Sequence, residues 1–291
     1  MSASPAFPYD SLPRDVDIRL VAVDMDGTLL HDDKSMPEQM WSFLRELSER
    51  NVIFTPSSGR QCWTLLDMFE RVREPMTVIA ENGAIVLRDG AEVSSAAMDH
   101  ATVREVIRRV RECVATGVNA GLMMCGKVSG YVERGDDEFI RSCIPYYHRT
   151  RIVTDQCEIL DRMESGDLDD DVIKLAVFCF DAVIPIAQIA LQPFADTHQY
   201  AISGHNWADL QMKGVDKGSA VRALQQHLGI GPEHTLVFGD FHNDISMLQA
   251  AHWSFAMANA HPDVIDAARF IAPSNNEDGV LRVTRHLLGI D

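Results

Sequence analysis

Four short apolar runs in this 291-residue chain each end abruptly in polar residues, and stretches of helical periodicity separate them. Ile18 to Val23 (IRLVAV) runs into DMDGT, and Val52 to Phe54 leads to Ser57-Ser58-Gly59-Arg60. Met76 to Ala80 is closed by Glu81-Asn82-Gly83, and Thr235 to Phe238 stops at Gly239-Asp240. A β-branched run without polar alternation is the pattern of a strand buried on both faces. After the first run, Met40, Phe43, Leu44 and Leu47 fall at helical spacing. Cys62 to Val72 and Asp216 to Leu228 also read as helices, the second stopped by Gly229 and Gly231. Strands alternating with helices predict an α/β fold with a parallel sheet.

The regularity changes after Gly83. Ala84 to Leu87 and Ala91 to Ser94 flank Arg88-Asp89-Gly90 as a hairpin does, the first sign of antiparallel pairing. Helix-like stretches at 102–116 and 182–192 follow, with strand-like ones at 118–124, 128–133, 172–180 and 198–211. The expected organisation is a discontinuous α/β core of residues 15–83 and 213–291, interrupted by an α+β insert at 84–212, with 1–14 a disordered N-terminal segment. A prior of roughly 150 residues per domain also suggests two.

Charge narrows the choice of partner. Acidic residues outnumber basic ones by 43 to 26, and the net charge of −17 opposes broad binding to nucleic acid or to an anionic membrane. An anionic ligand must then be held locally, by a cation, a few basic side chains and backbone N–H groups. No stretch approaches the roughly eighteen apolar residues of a membrane span, and the first seventeen residues lack the basic start and apolar run of a signal peptide. The cysteines at 62, 113, 125, 143, 157 and 179 form no CxxC pair and read as reduced packing thiols, so a cytoplasmic location is expected. Neither GxGxxG nor GxxxxGK[ST] occurs, and no nucleotide cofactor is needed.

In open α/β sheets ligands bind beyond the carboxyl ends of the strands. The residues there are Asp24 and Asp26, Ser58, Glu81-Asn82, and Asp240, Asn243 and Asp244, while Lys217 opens the helix before the last strand. Carboxylates gathered at one crevice repel unless a hard cation lies between them. Magnesium, which keeps waters and takes few carboxylates plus a substrate phosphate, matches Asp24, Asp240 and Asp244 with Asp26 nearby. A hydroxyl, a lysine and a cation around one carboxylate suffice for phosphoryl transfer. A calcium loop of the EF-hand kind is excluded, because its glycine stands at loop position six and Gly27 is fourth from Asp24. Lys213 competes with Lys217 on position alone. Glu81-Asn82-Gly83 reads as a turn rather than as catalytic, and His242 as a solvated loop histidine. His205, Asn206 and Trp207 fit either substrate contact or hairpin closure.

Taken together and in this order, Asp24-Met25-Asp26-Gly27-Thr28, Ser57-Ser58-Gly59-Arg60, Lys217-Gly218 and Gly239-Asp240-Phe241-His242-Asn243-Asp244 resemble the four motifs of the haloacid dehalogenase (HAD) superfamily. The large insert, with ENGA at 81–84 and EDGV at 277–280, resembles its Cof-like, type IIB-capped sugar-phosphatase group. The resemblance implies a Rossmann-like core with an α+β cap. It also implies a magnesium-dependent phosphatase that hydrolyses a small phosphorylated metabolite, a sugar phosphate first of all, through a phosphoaspartate. By the same resemblance Asp24 is the nucleophile and Asp26 the general acid and then base. Ser58 and Lys217 hold the phosphoryl group with Gly59 and Asn243, and Asp24, Asp26 (by its backbone carbonyl), Asp240 and Asp244 form the magnesium site. Asp216-Lys217-Gly218 fits the family pattern, which favours Lys217 over Lys213. Ser58 stands where threonine is more common and keeps the hydroxyl. Two other readings use a similar set: a phosphomutase with the same nucleophile, and a non-enzymatic receiver-like phospho-acceptor, although receivers are much shorter and lack a large insert. The motifs do not encode which metabolite is used, FMN and pyridoxal phosphate included, nor the oligomeric state.

Overall fold

The computed structural model describes residues 7–72 and 76–290. The chain divides into two compact units: one of the residues up to Gly59, Met68–Ser94 and those from Asp216 on, the other of Arg60–Asp67 and Ser95–Val215.

The first unit is an α/β domain. Among the described residues its sheet has nine strands, in the order Phe7–Pro8, Phe270–Ala272, Trp253–Met257, Thr235–Gly239, Leu20–Asp24, Ile53–Ser57, Thr77–Ala80, Ile85–Arg88 and Ala91–Ser95. Pairing is parallel from Phe7–Pro8 through Thr77–Ala80. Every residue of Leu20–Asp24, Thr77–Ala80 and Thr235–Gly239 is buried, as unbroken apolar runs require when helices cover both faces. The helix Met40–Glu49 buries Met40, Phe43 and Leu47. Parallel pairing aligns the carboxyl ends, so Asp24 lies beside Ser57, and Phe238 pairs with Val23 one step before each chain leaves the sheet.

The hairpin after Gly83 belongs to this sheet and not to the insert. Asn82 and Gly83 both have positive φ, which reverses the chain within a single 3-10 turn, and Ile85–Arg88 then pairs antiparallel with Thr77–Ala80. The boundary expected at 84 therefore falls after Ser94, and residues 60–67 cluster with the insert. Of the expected disordered segment 1–14, residues 1–6 lie outside the described residues. Phe7–Pro8 pairs with Phe270 and Ile271, and Tyr9–Ser11 forms a 3-10 turn.

The second unit is α+β. Its six strands, counted among the described residues, run in the order His198–Ile202, Trp207–Met212, Val172–Cys179, Ala120–Gly126, Gly130–Val132 and Thr150–Ile152, antiparallel except for the last pair. Alternate side chains separate its two faces. Leu122, Met124, Leu175 and Val177 pack with Val103, Val106, Ile107 and Val110 of the helix His100–Ala115. Met123, Cys125, Ala176 and Phe178 pack with Phe139 of the helix Asp137–Cys143. Aspartates cap the helices: Asp99 accepts from the Thr102 N–H at 2.8 Å and Asp136 from that of Phe139 at 3.1 Å. The stretch 198–211 is two strands, closed by the Ser203 N–H donating to the Trp207 carbonyl at 3.0 Å, and Asn206 ties their turn to the neighbouring strand by donating to the Cys179 carbonyl at 2.7 Å. Five of the six cysteines are buried, and no disulfide joins any of them among the described residues. Among those residues no helix is long and apolar enough to cross a membrane.

One glycine shows how tightly the first unit is packed around its site. Gly218 sits in the helix Lys217–Leu228, where propensity alone favours alanine by about 1 kcal/mol. A Cβ there would lie 2.2 Å from the backbone oxygen of Ser246, which cannot rotate away. Gly218→Ala is predicted to destabilise by about 1–3 kcal/mol, read as a lower urea midpoint. A midpoint equal to or above the parent's would show that propensity wins and the contact yields.

Candidate active site

Four strand ends and one helix start build the site, all within the first unit. Asp24 is the last residue of Leu20–Asp24 and is 7% exposed. Lys217 is the first residue of its helix and fully buried, held there by the Asp216 cap, whose carboxylate accepts from the Ser219 N–H at 2.7 Å while the Ser219 hydroxyl accepts from the Asp216 N–H at 2.9 Å. The ammonium donates to Asp24 Oδ1 and, at 2.6 Å, to Asp244 Oδ1. The other Asp244 oxygen accepts the backbone N–H groups of Asp240 at 2.9 Å and Phe241 at 3.2 Å, so one fully buried carboxylate both anchors the lysine and shapes the loop after the strand Thr235–Gly239.

Asp240 is fixed from the first loop. Thr28 donates its hydroxyl to Asp240 Oδ1 at 2.7 Å, and Gly27, at φ +85°, leaves room for the same carboxylate: a Cβ would lie 2.4 Å from Asp240 Oδ2. Asn259 supports that loop by donating to the Gly27 carbonyl at 2.8 Å. On the other side, Ser58 is buried and its carbonyl accepts from the Asn82 N–H at 3.0 Å. The Asn82 side-chain oxygen accepts from Asn243 at 3.1 Å, and its amide lies over Gly59, where a Cβ would be 3.2 Å away.

Oxygens of Asp24, Asp240 and Asp244 lie within 4.8 Å of one another. One ammonium cannot neutralise three carboxylates. Burial first, then the charge of Asp244, pushes Asp24 well above the usual carboxylate range, against the pull of Lys217. Burial likewise raises Asp240 to about 6, although the Thr28 hydrogen bond opposes it. Burial alone would lower Lys217, but Asp24 and Asp244 hold it above the ordinary ammonium range, so it stays charged. The donors are all hard oxygens and the set carries excess negative charge. That combination suits a divalent cation of the magnesium type rather than a softer metal.

The structure thus brings together Asp24, Lys217, Asp240 and Asp244, with Asn243 linked to the loops of Ser58 and Gly59 through Asn82. The Asp26 carboxylate pairs with Lys34 at 2.9 Å and is about one-third exposed. Lys213 belongs to the second unit, where it donates to the Asp196 carbonyl. Thr28, Lys34 and Asn259 were not singled out as site residues, and Asn82, collected at its strand end, was read as part of a turn. Only Thr28 and Asn82 lay in segments already singled out, and nothing in the sequence marks Lys34 or Asn259.

With this geometry the comparisons with known proteins agree. The sequence model of the haloacid dehalogenase-like hydrolases matches residues 21–283, and the chain belongs to that family. It is a hydrolase of the phosphatase kind within it. It is 33% identical over 274 residues to the 5-amino-6-(5-phospho-D-ribitylamino)uracil phosphatase YbjI of Escherichia coli, covering 93% of this chain and 96% of that protein. It is 26% identical to the phosphatase of the same designation, YcsE, from Bacillus subtilis, covering 94% of this chain and 96% of the relative. A solved haloacid dehalogenase-like hydrolase from B. subtilis superposes with a TM-score of 0.79 over 93% of this chain and 100% of its own, at 22% identity, and so shares the fold.

Removing Asp244 takes one of its two carboxylate partners from a buried ammonium and leaves two backbone N–H groups unpaired. Asp244→Ala is predicted to lower the unfolding free energy by about 3–5 kcal/mol in urea denaturation. Asp26→Ala, which breaks the part-exposed pair with Lys34, should cost no more than about 1 kcal/mol. Equal losses for the two would show that the Lys217 cluster does not organise the fold.

Proposed function

We propose that the chain is a magnesium-dependent phosphomonoesterase working through a phosphoaspartate on Asp24, and that its substrate is a small sugar- or sugar-alcohol-bearing phosphate. The observation that carries this reading is the Asp24 carboxylate at a strand end, bonded to a buried lysine and within reach of two further carboxylates. A nucleophile for phosphorus needs a lone pair held in a fixed direction beside positive charge; Lys217 fixes the direction and supplies part of that charge, and a bound cation would supply the rest.

Asp24 attacks phosphorus in line with the departing oxygen, and Asp26 gives that oxygen its proton. Asp26, now a carboxylate, takes a proton from water, which opens the acyl phosphate and returns Asp24 and inorganic phosphate. Lys217, the Ser58 hydroxyl, the Gly59 N–H and Asn243 hold the phosphoryl oxygens. Asp24, Asp240, Asp244 and the Asp26 carbonyl would hold the cation, which when bound offsets the negative charge that phosphate brings to an acidic site. Partial exposure suits Asp26 to exchanging protons with solvent, while burial suits Asp24 to making one bond in one direction. The ribityl phosphate named for the E. coli and B. subtilis relatives is the first substrate to test, and the second unit is the natural source of selectivity among phosphates. Scattered, buried thiols suit a reducing cytoplasm.

Excess EDTA is expected to abolish phosphate release from a panel of sugar phosphates, with magnesium restoring it, and Asp240→Ala should lose most of the activity. Full turnover in EDTA would overturn the cation assignment.

Asp24→Asn should abolish turnover of every substrate, because an amide is a far poorer nucleophile than a carboxylate. Asp26→Asn should slow the first step less with p-nitrophenyl phosphate than with a sugar phosphate, since a weakly basic leaving group needs little help from an acid. Its nitrophenolate burst should survive while phosphate release stalls. Equal losses for both leaving groups would remove Asp26 from the acid role, and a normal rate in Asp24→Asn would remove the nucleophile.

A further inference from the structure

The loop that carries Asp240 and Asp244 also presents a second, differently composed cluster on its outer side. His242 Nε2 lies 3.0 Å from Asp263 Oδ2, and His261 Nδ1 lies 3.5 Å from the same oxygen. One ligand atom from each of the three residues falls within 4.8 Å of the others, and the two imidazole rings are 4.3 Å apart between centroids. Two ligand atoms about 2.1 Å from a zinc-type ion at a tetrahedral angle are about 3.4 Å apart, so the two distances to the Asp263 oxygen bracket what chelation requires. The backbone N–H of Asp263 donates to the lone pair of His261 Nδ1 at 3.3 Å, so an ion bound at that nitrogen takes the place of this long hydrogen bond. All three side chains are exposed, leaving further positions on an ion open to water.

We propose that His242, His261 and Asp263 form a second cation site, chemically distinct from the carboxylate cluster, that takes an imidazole-preferring divalent ion of the Zn2+ or Cu2+ type. Two imidazoles and one carboxylate select such ions over magnesium, which coordinates oxygen and sheds water reluctantly. The net charge of −17 favours any cation at the surface. The site also ties two segments together. His242 is in the same 3-10 turn as Asn243 and Asp244, and the His261 N–H donates to the Asp240 carbonyl at 2.9 Å. An ion bridging the histidines therefore pins the loop that carries Asp240 and Asp244 to the start of the helix Pro262–Ala267.

The test uses the untagged full chain in saturating magnesium, which fills the oxygen site and leaves imidazoles available. Cu2+ is titrated with isothermal calorimetry, and its ligands are counted by nitrogen superhyperfine splitting in electron paramagnetic resonance. The expected result is one strong equivalent with two nitrogen ligands. H242Q and H261Q should each show one nitrogen and bind more than about tenfold weaker, and the double variant should show none. H100Q, which breaks a separate surface pair, that of His100 with Glu164 at 2.9 Å, should bind as the parent does. Thermal melting in magnesium checks that each variant is folded. A nitrogen pattern that survives in the double variant, or a loss of tenfold or less in both single variants, overturns the site.

Discussion

Lys217 is the pivot of the core. A fully buried ammonium is tolerable only if anions meet it, and here they come from Asp24 and Asp244, 193 and 27 residues away in sequence. Satisfying it obliges the end of the first strand, the loop after Thr235–Gly239 and the first turn of the helix Lys217–Leu228 to meet at one point. A parallel sheet meets that demand without distortion, because all its strands deliver their carboxyl ends to the same edge. Gly83 and Gly218 serve the same convergence: a Cβ on Gly83 would lie 2.3 Å from the Asp216 carbonyl, so the turn after Thr77–Ala80 reaches the helix start only without a side chain.

Convergence of this kind creates a charge imbalance that the protein by itself does not remove. Lys217 offsets part of the negative charge, yet Asp24 and Asp240 are still displaced upward by burial and by Asp244. A phosphate dianion entering such a site would be repelled unless a cation accompanied it. Under the proposed mechanism, the same imbalance that makes the site costly to assemble favours a ligand set in which metal and phosphate come together.

The sheet and the acidic strand ends were legible in sequence because their signals are local: an unbroken apolar run, then carboxylates within two or three residues. Lys217 was separable from Lys213 only through its neighbours Asp216 and Gly218, which the helix cap and the close packing against Ser246 now explain. The hairpin at 85–95 was visible as a hairpin, but turn chemistry does not say which sheet a hairpin joins, and the boundary was drawn too early. The short helices Asp137–Cys143 and Gln156–Glu164 escaped because few apolar residues set their period and their aspartate caps are indistinguishable from loop residues. Asn82, Asn259 and Lys34 act through partners distant in the chain or held by loop geometry, and no spacing rule reports such contacts.

The two aspartates of the first loop show how environment separates groups that the sequence presents as a pair. Asp24 is buried, fixed by Lys217 and raised by its surroundings; two residues on, Asp26 is one-third exposed and pairs with a lysine that is itself 59% exposed. A single buried partner fixes the direction of a carboxylate, whereas an exposed lysine on a long stem is readily exchanged for another donor or for water. Under the proposed mechanism the first property suits a nucleophile, whose bond must form along one line, and the second suits a group that must release a proton to one oxygen and recover it from another. Interchanging their surroundings, rather than their chemistry, would exchange their suitability for the two tasks.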